Sequence, residues 1–413
     1  MSRAIFLCLA AGLLCVAQPY TFESTQPAEV VAELELRSPG ADWAVAGREA
    51  AVAQLKLDGR SAQHVMLYGG PVTTTYQVFL GSVESGRHEL VIERDPKFSA
   101  GGAGLETGAV RFRQYPRSSA EYDVISHAPV LYARRNTVGR FSDIPMIVYC
   151  ERTPQGLAYT VIFSNEDGGT STRALMARWG RTTDIEYVYE QRGSGAIVQG
   201  PGHKDVEFTG PYEGAHPLLM PVTDNNMIAA AADSPLRFQI APVLVDLSSA
   251  SRESVMDRYP ATYTVMSKEL EREGKLRPFG TVDGEKISDQ RNYLFIDYRS
   301  HHRTSRFNVS AGLKDGRAFV SDLGRFDFAI GRDGTVRTTV ELPPGTQPSE
   351  ISFIEFTCLA AESDRQLSHD GVCTLDEVNR VFFLSKEGRP GAEVSLKGGP
   401  ARVPSGQSLL LTP

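Results

Sequence analysis

Beyond residue 17 the chain has no apolar run approaching the roughly 20 residues that a helix needs to cross a bilayer, so no membrane span is expected. It also has no block of like charges. With 43 Lys and Arg against 50 Asp and Glu, the formal net charge is −7, which argues against nucleic acid and leaves neutral sugars, peptides and cationic ligands open as partners. A Gly-x-Ser-x-Gly elbow, a His-Glu-x-x-His helix, a Walker glycine loop and a dinucleotide fingerprint are all missing. The sequence therefore names no cofactor and no metal. Cysteine is scarce: there are five, and Cys8 and Cys15 fall in the first seventeen residues.

Those first residues are the most distinctive part of the chain. Arg3 supplies a positive start, Ala4 to Val16 is almost unbroken apolar sequence, and Cys15-Val16-Ala17 places small residues where a signal peptidase reads them. Met1 to Ala17 is expected to be a cleaved secretory signal, and the protein to be secreted or periplasmic. A lipoprotein cut would need a small residue before the cysteine, but Leu7 precedes Cys8 and Leu14 precedes Cys15. Cleavage removes Arg3 and no acid, and leaves Cys150, Cys358 and Cys373. In an oxidising compartment Cys358 and Cys373 can bridge a loop of about 15 residues, worth roughly 3 kcal/mol in the chain-entropy account. The alternative is three reduced, buried thiols. Cys150 closes Pro145-Met146-Ile147-Val148-Tyr149-Cys150, apolar on both strand faces, and is expected to be inert core.

Short strands separated by turn residues dominate the pattern. Ala51 to Leu57 runs into Asp58-Gly59, a hairpin signal, and further runs at His64 to Tyr68, Thr74 to Leu80, His88 to Glu93 and Val110 to Tyr115 recur about every ten residues. Residues 26–117 are expected to form a β-sandwich ending at the linker Pro116-Arg117-Ser118-Ser119. Tyr293 to Tyr298, Phe307 to Ser310, Arg317 to Ser321, Phe326 to Ile330, Thr335 to Leu342 and Ile351 to Thr357 predict a second β domain over residues 290–413. Between them, residues 118–275 read as a central mixed β-sheet domain. Leu157 to Phe163 is apolar at nearly every position, as a strand covered on both faces requires. Arg252 to Glu273 has helical spacing, with Ser251 as cap and Gly274 as stop, and Pro260 must kink or split it. The expected fold is thus mainly β and multidomain: sandwich-like ends around a central sheet domain with one or two helices.

Candidate chemistry concentrates in that central domain. The apolar strand empties into Ser164-Asn165-Glu166-Asp167-Gly168-Gly169-Thr170, placing polar side chains on a rigid base. The next strand-like segment begins at Asp184, and period two puts Asp184, Glu186 and Glu190 on one face. Two carboxylates about 7 Å apart along a strand can act as general acid and general base across a sugar bond; with Asn165, Glu166 or Asp167 they could instead chelate calcium. An acidic, solvated outer face is the bland alternative. His203 and His216, both in glycine-containing polar stretches, are candidates to complete an acid-base or metal site. Glu166, Asp184, Glu186, His203 and His216 are therefore the catalytic candidates, and Asn165, Asp167 and Arg181 the ligand-contacting ones. The basic stretch Arg299 to Arg306 could hold an anionic group such as a uronate carboxylate, or be a solvated strand end.

Two functions fit. One is an exported carbohydrate-active hydrolase worked by the central carboxylates, flanked by accessory modules, on analogy of architecture. The other is a non-catalytic extracellular protein that binds polysaccharide or a cell-surface glycan. Convergence of the acids and histidines in one concave pocket would favour the first, and their dispersal the second.

Overall fold

The computed structural model describes residues 19–413 apart from 136, 138, 167, 169, 232–233, 282–285, 322–327, 361, 364–365 and 368–370. The expected leader, Met1 to Ala17, lies outside the described residues. So do Asp167, part of the expected strand Phe326 to Ile330, and the turn residues His369 and Asp370. The fold is mainly β. No helix among the described residues is long and apolar enough to cross a membrane.

Strands Tyr20–Ser24, Gly86–Arg94, Val52–Leu57 and Arg60–Met66 make one N-terminal sheet, and Thr74–Val83, Ala28–Arg37 and Glu106–Pro116 make a second. Residues of both sheets share one apolar core, because Val30, Leu34 and Leu36 of the one and Val52, Leu55 and Leu90 of the other are all wholly buried. The Asp58-Gly59 turn closes the hairpin between Val52–Leu57 and Arg60–Met66, with both residues at positive φ as a tight twisted turn demands. One boundary differs from expectation. The first strand starts at Tyr20, ahead of residue 26, and Phe22 stacks on both His88 and Phe112, one ring from each sheet. A single buried aromatic in a short polar strand, YTFES, gives too weak a period to be read in advance.

The central sheet runs in the order Lys204–Glu207, Gly195–Gly200, Asp184–Arg192, Gly156–Phe163, Pro145–Arg152, Val243–Val245. All its pairs are antiparallel except the last, which is parallel. Gly156–Phe163 sits inside the sheet, as its apolar sequence requires. The N-terminal and central parts share one continuous core, stitched where strand Thr74–Val83 meets residues 239–241. There Phe79 N donates to Gln239 O at 2.9 Å, Ala241 N donates to Gln77 O at 2.9 Å, and the amides of Gln63 and Gln239 both donate to Phe79 O. Pro260 splits the C-terminal helical segment into Ser254–Asp257 and Ala261–Arg272. Proline cannot donate a backbone hydrogen bond within a helix but suits its start, which fits the break.

The last part of the chain forms two large sheets around a second core, and a further two-stranded one from Glu362–Ser363 and Gln366–Leu367. Cys358 of strand Ile351–Ala360 and Cys373 of strand Val372–Leu384 are bonded, with Cα atoms 5.7 Å apart, and this disulfide ties the two sheets together. Helix Thr172–Trp179 docks on this region. Its start is capped by Ser171, whose side chain accepts from Ala174 N, and its end by Gly180 at φ 64°. The carbonyls of Met176 and Ala177 then accept from the hydroxyls of Thr339 and Thr338, each at 2.6 Å, so a C-terminal strand closes the helix's open end.

Replacing both Cys358 and Cys373 with Ala should lower unfolding stability by about 3 kcal/mol in urea titrations, the cost of freeing a loop of this length. Cys150 is wholly buried and its thiol is pushed up to about 12, first by lost hydration, so it should react with thiol reagents only after unfolding. A native protein whose Cys150 is labelled at once would contradict that placement.

Candidate functional site

Strand Asp184–Arg192 lies beside Gly156–Phe163 with Asp184 opposite Phe163 and Glu186 opposite Val161. The register then slips: Tyr187 opposes Thr160 but Tyr189 opposes Tyr159, so Val188 is an extra residue and Glu190 comes to oppose Ala158. A one-residue bulge carries everything beyond it to the other face. Glu190 is thereby separated from Asp184 and Glu186, correcting the expectation that the three share a face. It pairs instead with Arg192 at 2.6 Å and accepts from the Thr153 hydroxyl at 3.1 Å.

The remaining pair is not a solvated edge. Asp184 is 1% exposed and Glu186 9%, while Glu166, half-buried at the end of the neighbouring strand, lies within electrostatic reach of both. Burial, then repulsion from Asp184, pushes Glu166 up to about 7. Burial, then Glu186, pushes Asp184 up in the same way, and burial raises Glu186 too. Two guanidinium groups, Arg181 and Arg252, oppose these shifts. Both stand 3.4 Å from the carboxylate of buried Glu253, which burial would raise but which Arg252 and Arg181 hold below the ordinary glutamate value. Neutral amides complete the lining. Asn226 donates to Asp184 Oδ2 at 3.0 Å and to Asp143 Oδ1 at 3.3 Å, and Gln199 donates to Glu186 Oε2 at 2.8 Å.

The other sequence candidates divide. His203 is exposed and reaches the acids only through Gln199, whose amide nitrogen is 2.6 Å from His203 Nδ1. His216 is elsewhere and buried: Nδ1 is 2.8 Å from Ala128 O, Nε2 is 3.4 Å from Glu29, and the ring stacks on Phe79. The glycine and proline around His216 mimic a loop, yet His216–Pro221 is a strand between two units. Asn165 Oδ1 accepts from Asp143 N at 2.7 Å, which fastens a neighbouring turn. Arg181, 1% exposed, cannot touch a ligand in this arrangement. The opening beside Asn165, Glu166 and Thr182 encloses only about 10 Å³, at the limit for a single water. Among the described residues no three His, Cys, Asp or Glu side chains are gathered to hold a metal.

A larger recess lies between helix Thr172–Trp179 and the C-terminal sheets, about 420 Å³ in volume. Arg178 and Trp179 form one wall, His302 with Thr304 to Arg306 a second, and Ile330 to Arg332 a third. The second and third walls are held together by Phe307 and Ile330, which exchange backbone hydrogen bonds of 2.8 and 2.9 Å. Part of the basic stretch noted in the sequence therefore does line a cavity, while Arg299 and His301 turn away to Asp376. Sequence reasoning missed Arg178, Trp179 and Arg332, which join the stretch only through tertiary packing. No protein-family model matches this chain, and no curated protein is significantly similar to it.

The buried acids set a pH dependence. A carboxyl whose folded value is raised stabilises the fold most below its unfolded value, near 4, and that contribution is lost as pH climbs through about 7. Calorimetry on Asp184→Asn should show a higher thermal midpoint than the parent at pH 8 and little difference at pH 4. An unchanged or lower midpoint at pH 8 would mean that Asp184 is stabilised as a carboxylate.

Proposed function

We propose that this protein is exported and binds a glycan in the recess beside Trp179 without cleaving it. The observation that carries this reading is the contrast in space: the recess holds about 420 Å³, whereas the opening beside Glu166 holds about 10 Å³. A sugar ring needs the former. Export is supported by the leader-like first seventeen residues, and the formed Cys358–Cys373 bridge is in keeping with an oxidising compartment. The indole of Trp179 is flanked by the guanidinium groups of Arg178 and Arg181, 4.8 and 5.3 Å from the ring, which fixes its orientation.

A hydrolase built on Glu166, Asp184 and Glu186 is the second reading, and one observation favours it. Glu166 and Asp184 take up protons near neutral pH, the property a general acid needs. Hydrolysis would require the segment around Glu166 to open far enough to admit substrate.

Affinity electrophoresis through a panel of polysaccharides, run beside a reducing-end assay, separates the two. The binding reading expects retardation without release of new ends, abolished by Trp179→Ala in protein of near-parental thermal midpoint and untouched by Glu166→Gln. New reducing ends that disappear in Glu166→Gln would establish the hydrolase instead.

A further inference from the structure

Where the N-terminal and central parts meet, the packing leaves a cavity of about 140 Å³. That is about ten times the space a single water needs, whereas well-packed interiors leave few voids larger than a water. Strands Arg60–Met66 and Thr74–Val83, each the outermost of its sheet, supply two walls, and the central strand Pro145–Arg152 supplies a third. Residues 237–241 keep the first two walls apart. Arg237 N donates to His64 Nδ1 at 3.3 Å on one edge, while Phe79 N donates to Gln239 O and Ala241 N to Gln77 O on the other. The two edges cannot close on each other without breaking those bonds, so the space is built into the junction.

The lining carries no charge. It holds no Asp, Glu, Lys or Arg, and burial holds its one imidazole, His64, below the ordinary histidine value, hence neutral at pH 7. Val65, Met66, Val78, Met146 and Phe238 of the lining are all buried, so an ion placed among them would lose its hydration with nothing to replace it. Thr75 is exposed and Gln77 and Tyr259 half-buried, which gives the cavity a side that reaches solvent. Two tyrosines next to one another set a polar requirement. Tyr76 accepts from Gly69 N at 2.9 Å, but among the described residues no hydrogen bond reaches the hydroxyl of Tyr68, which is buried and lies within electrostatic reach of Tyr259. Buried tyrosine hydroxyls ordinarily find a partner, so this one is for an occupant to supply. We propose that the cavity binds a neutral molecule of about one aromatic ring bearing a hydroxyl, its ring among the apolar side chains and its hydroxyl paired with that of Tyr68. An engineered apolar cavity of about 150 Å³ accepts benzene, and the flexible thioethers of Met66 and Met146 adapt to a ring's edge. The site is separate from the Trp179 recess and does not depend on what binds there.

Isothermal titration of the whole protein with p-cresol, toluene and benzoate tests this. One p-cresol should bind per chain, toluene about fivefold more weakly for want of one hydrogen bond, and benzoate not at all, because its carboxylate would be buried without a cation. Tyr68→Phe should bring p-cresol down to the affinity of toluene and leave toluene unchanged. Ala241→Leu and Val65→Leu, which add volume at two different walls, should each abolish binding of both rings and raise the thermal midpoint of the ligand-free protein, and either one suffices should the other fail to fold. Absence of p-cresol binding to the parent, or binding undiminished in the filled variants, would overturn the site. Toluene binding as tightly as p-cresol, with Tyr68→Phe indifferent, would overturn the hydroxyl requirement, and benzoate binding as tightly as p-cresol would overturn the neutral one.

Discussion

Arg337 is the hinge of the architecture in an energetic sense. Its guanidinium, 1% exposed, is bound by cross-strand Asp297 at 2.7 and 2.8 Å, by Asp257 at 2.9 and 3.1 Å and by the Tyr263 hydroxyl at 2.8 Å. Asp297 belongs to the C-terminal sheet, whereas Asp257 and Tyr263 belong to the central helices. One enclosed charge thus fixes the position of two units. Losing a partner would strand it, at a cost of about 3–5 kcal/mol. The two residues after it, Thr338 and Thr339, close the C-terminal end of helix Thr172–Trp179. That contact sets Arg178 and Trp179 against the strands carrying His302 and Arg306 and the loop carrying Arg332, and it helps form the recess.

The molecule uses buried charge in two contrasting ways. Around Asp184 the acids are buried against arginines and amides, and burial raises their affinity for protons. At the recess, Arg178, Arg306 and Arg332 border a cavity, and both ring nitrogens of His302 are without a hydrogen-bond partner. Enclosed, well-bonded groups mark structure, whereas unmet hydrogen-bonding capacity beside a cavity marks a place for something else to bind. Space rather than bonding separates the two sites, since Asn226 Oδ1 and Gln199 Oε1 beside the acids also have no partner.

Local chemistry was readable in advance where one local rule dominates. The Asp58-Gly59 hairpin, the doubly covered strand ending at Phe163, the split at Pro260 and the Cys358–Cys373 bridge each depend on a few neighbouring residues. What depended on register or on distant contacts was not. The bulge at Val188 has no mark in its sequence, yet it removes Glu190 from the acid pair. His216 looked like a loop residue because the strand that buries it against Phe79 and Glu29 is supplied by the N-terminal sheets. Of the basic stretch, only the tertiary fold decides that Arg306 faces a cavity while Arg299 faces Asp376.

The central claim is that ligand engages at the Trp179 recess and not at the buried acids. The chain has two tryptophans, Trp43 enclosed in the N-terminal core and Trp179 at the recess, so their indole N–H resonances report on separate places. In a nitrogen-15 correlation spectrum titrated with trigalacturonate, the Trp179 indole should shift progressively to saturation while Trp43 stays fixed. The side-chain amides of Asn226 and Gln199, which contact Asp184 and Glu186, should also stay fixed. Saturable shifts of those two amides with a stationary Trp179 would place the ligand at the acids and contradict the account.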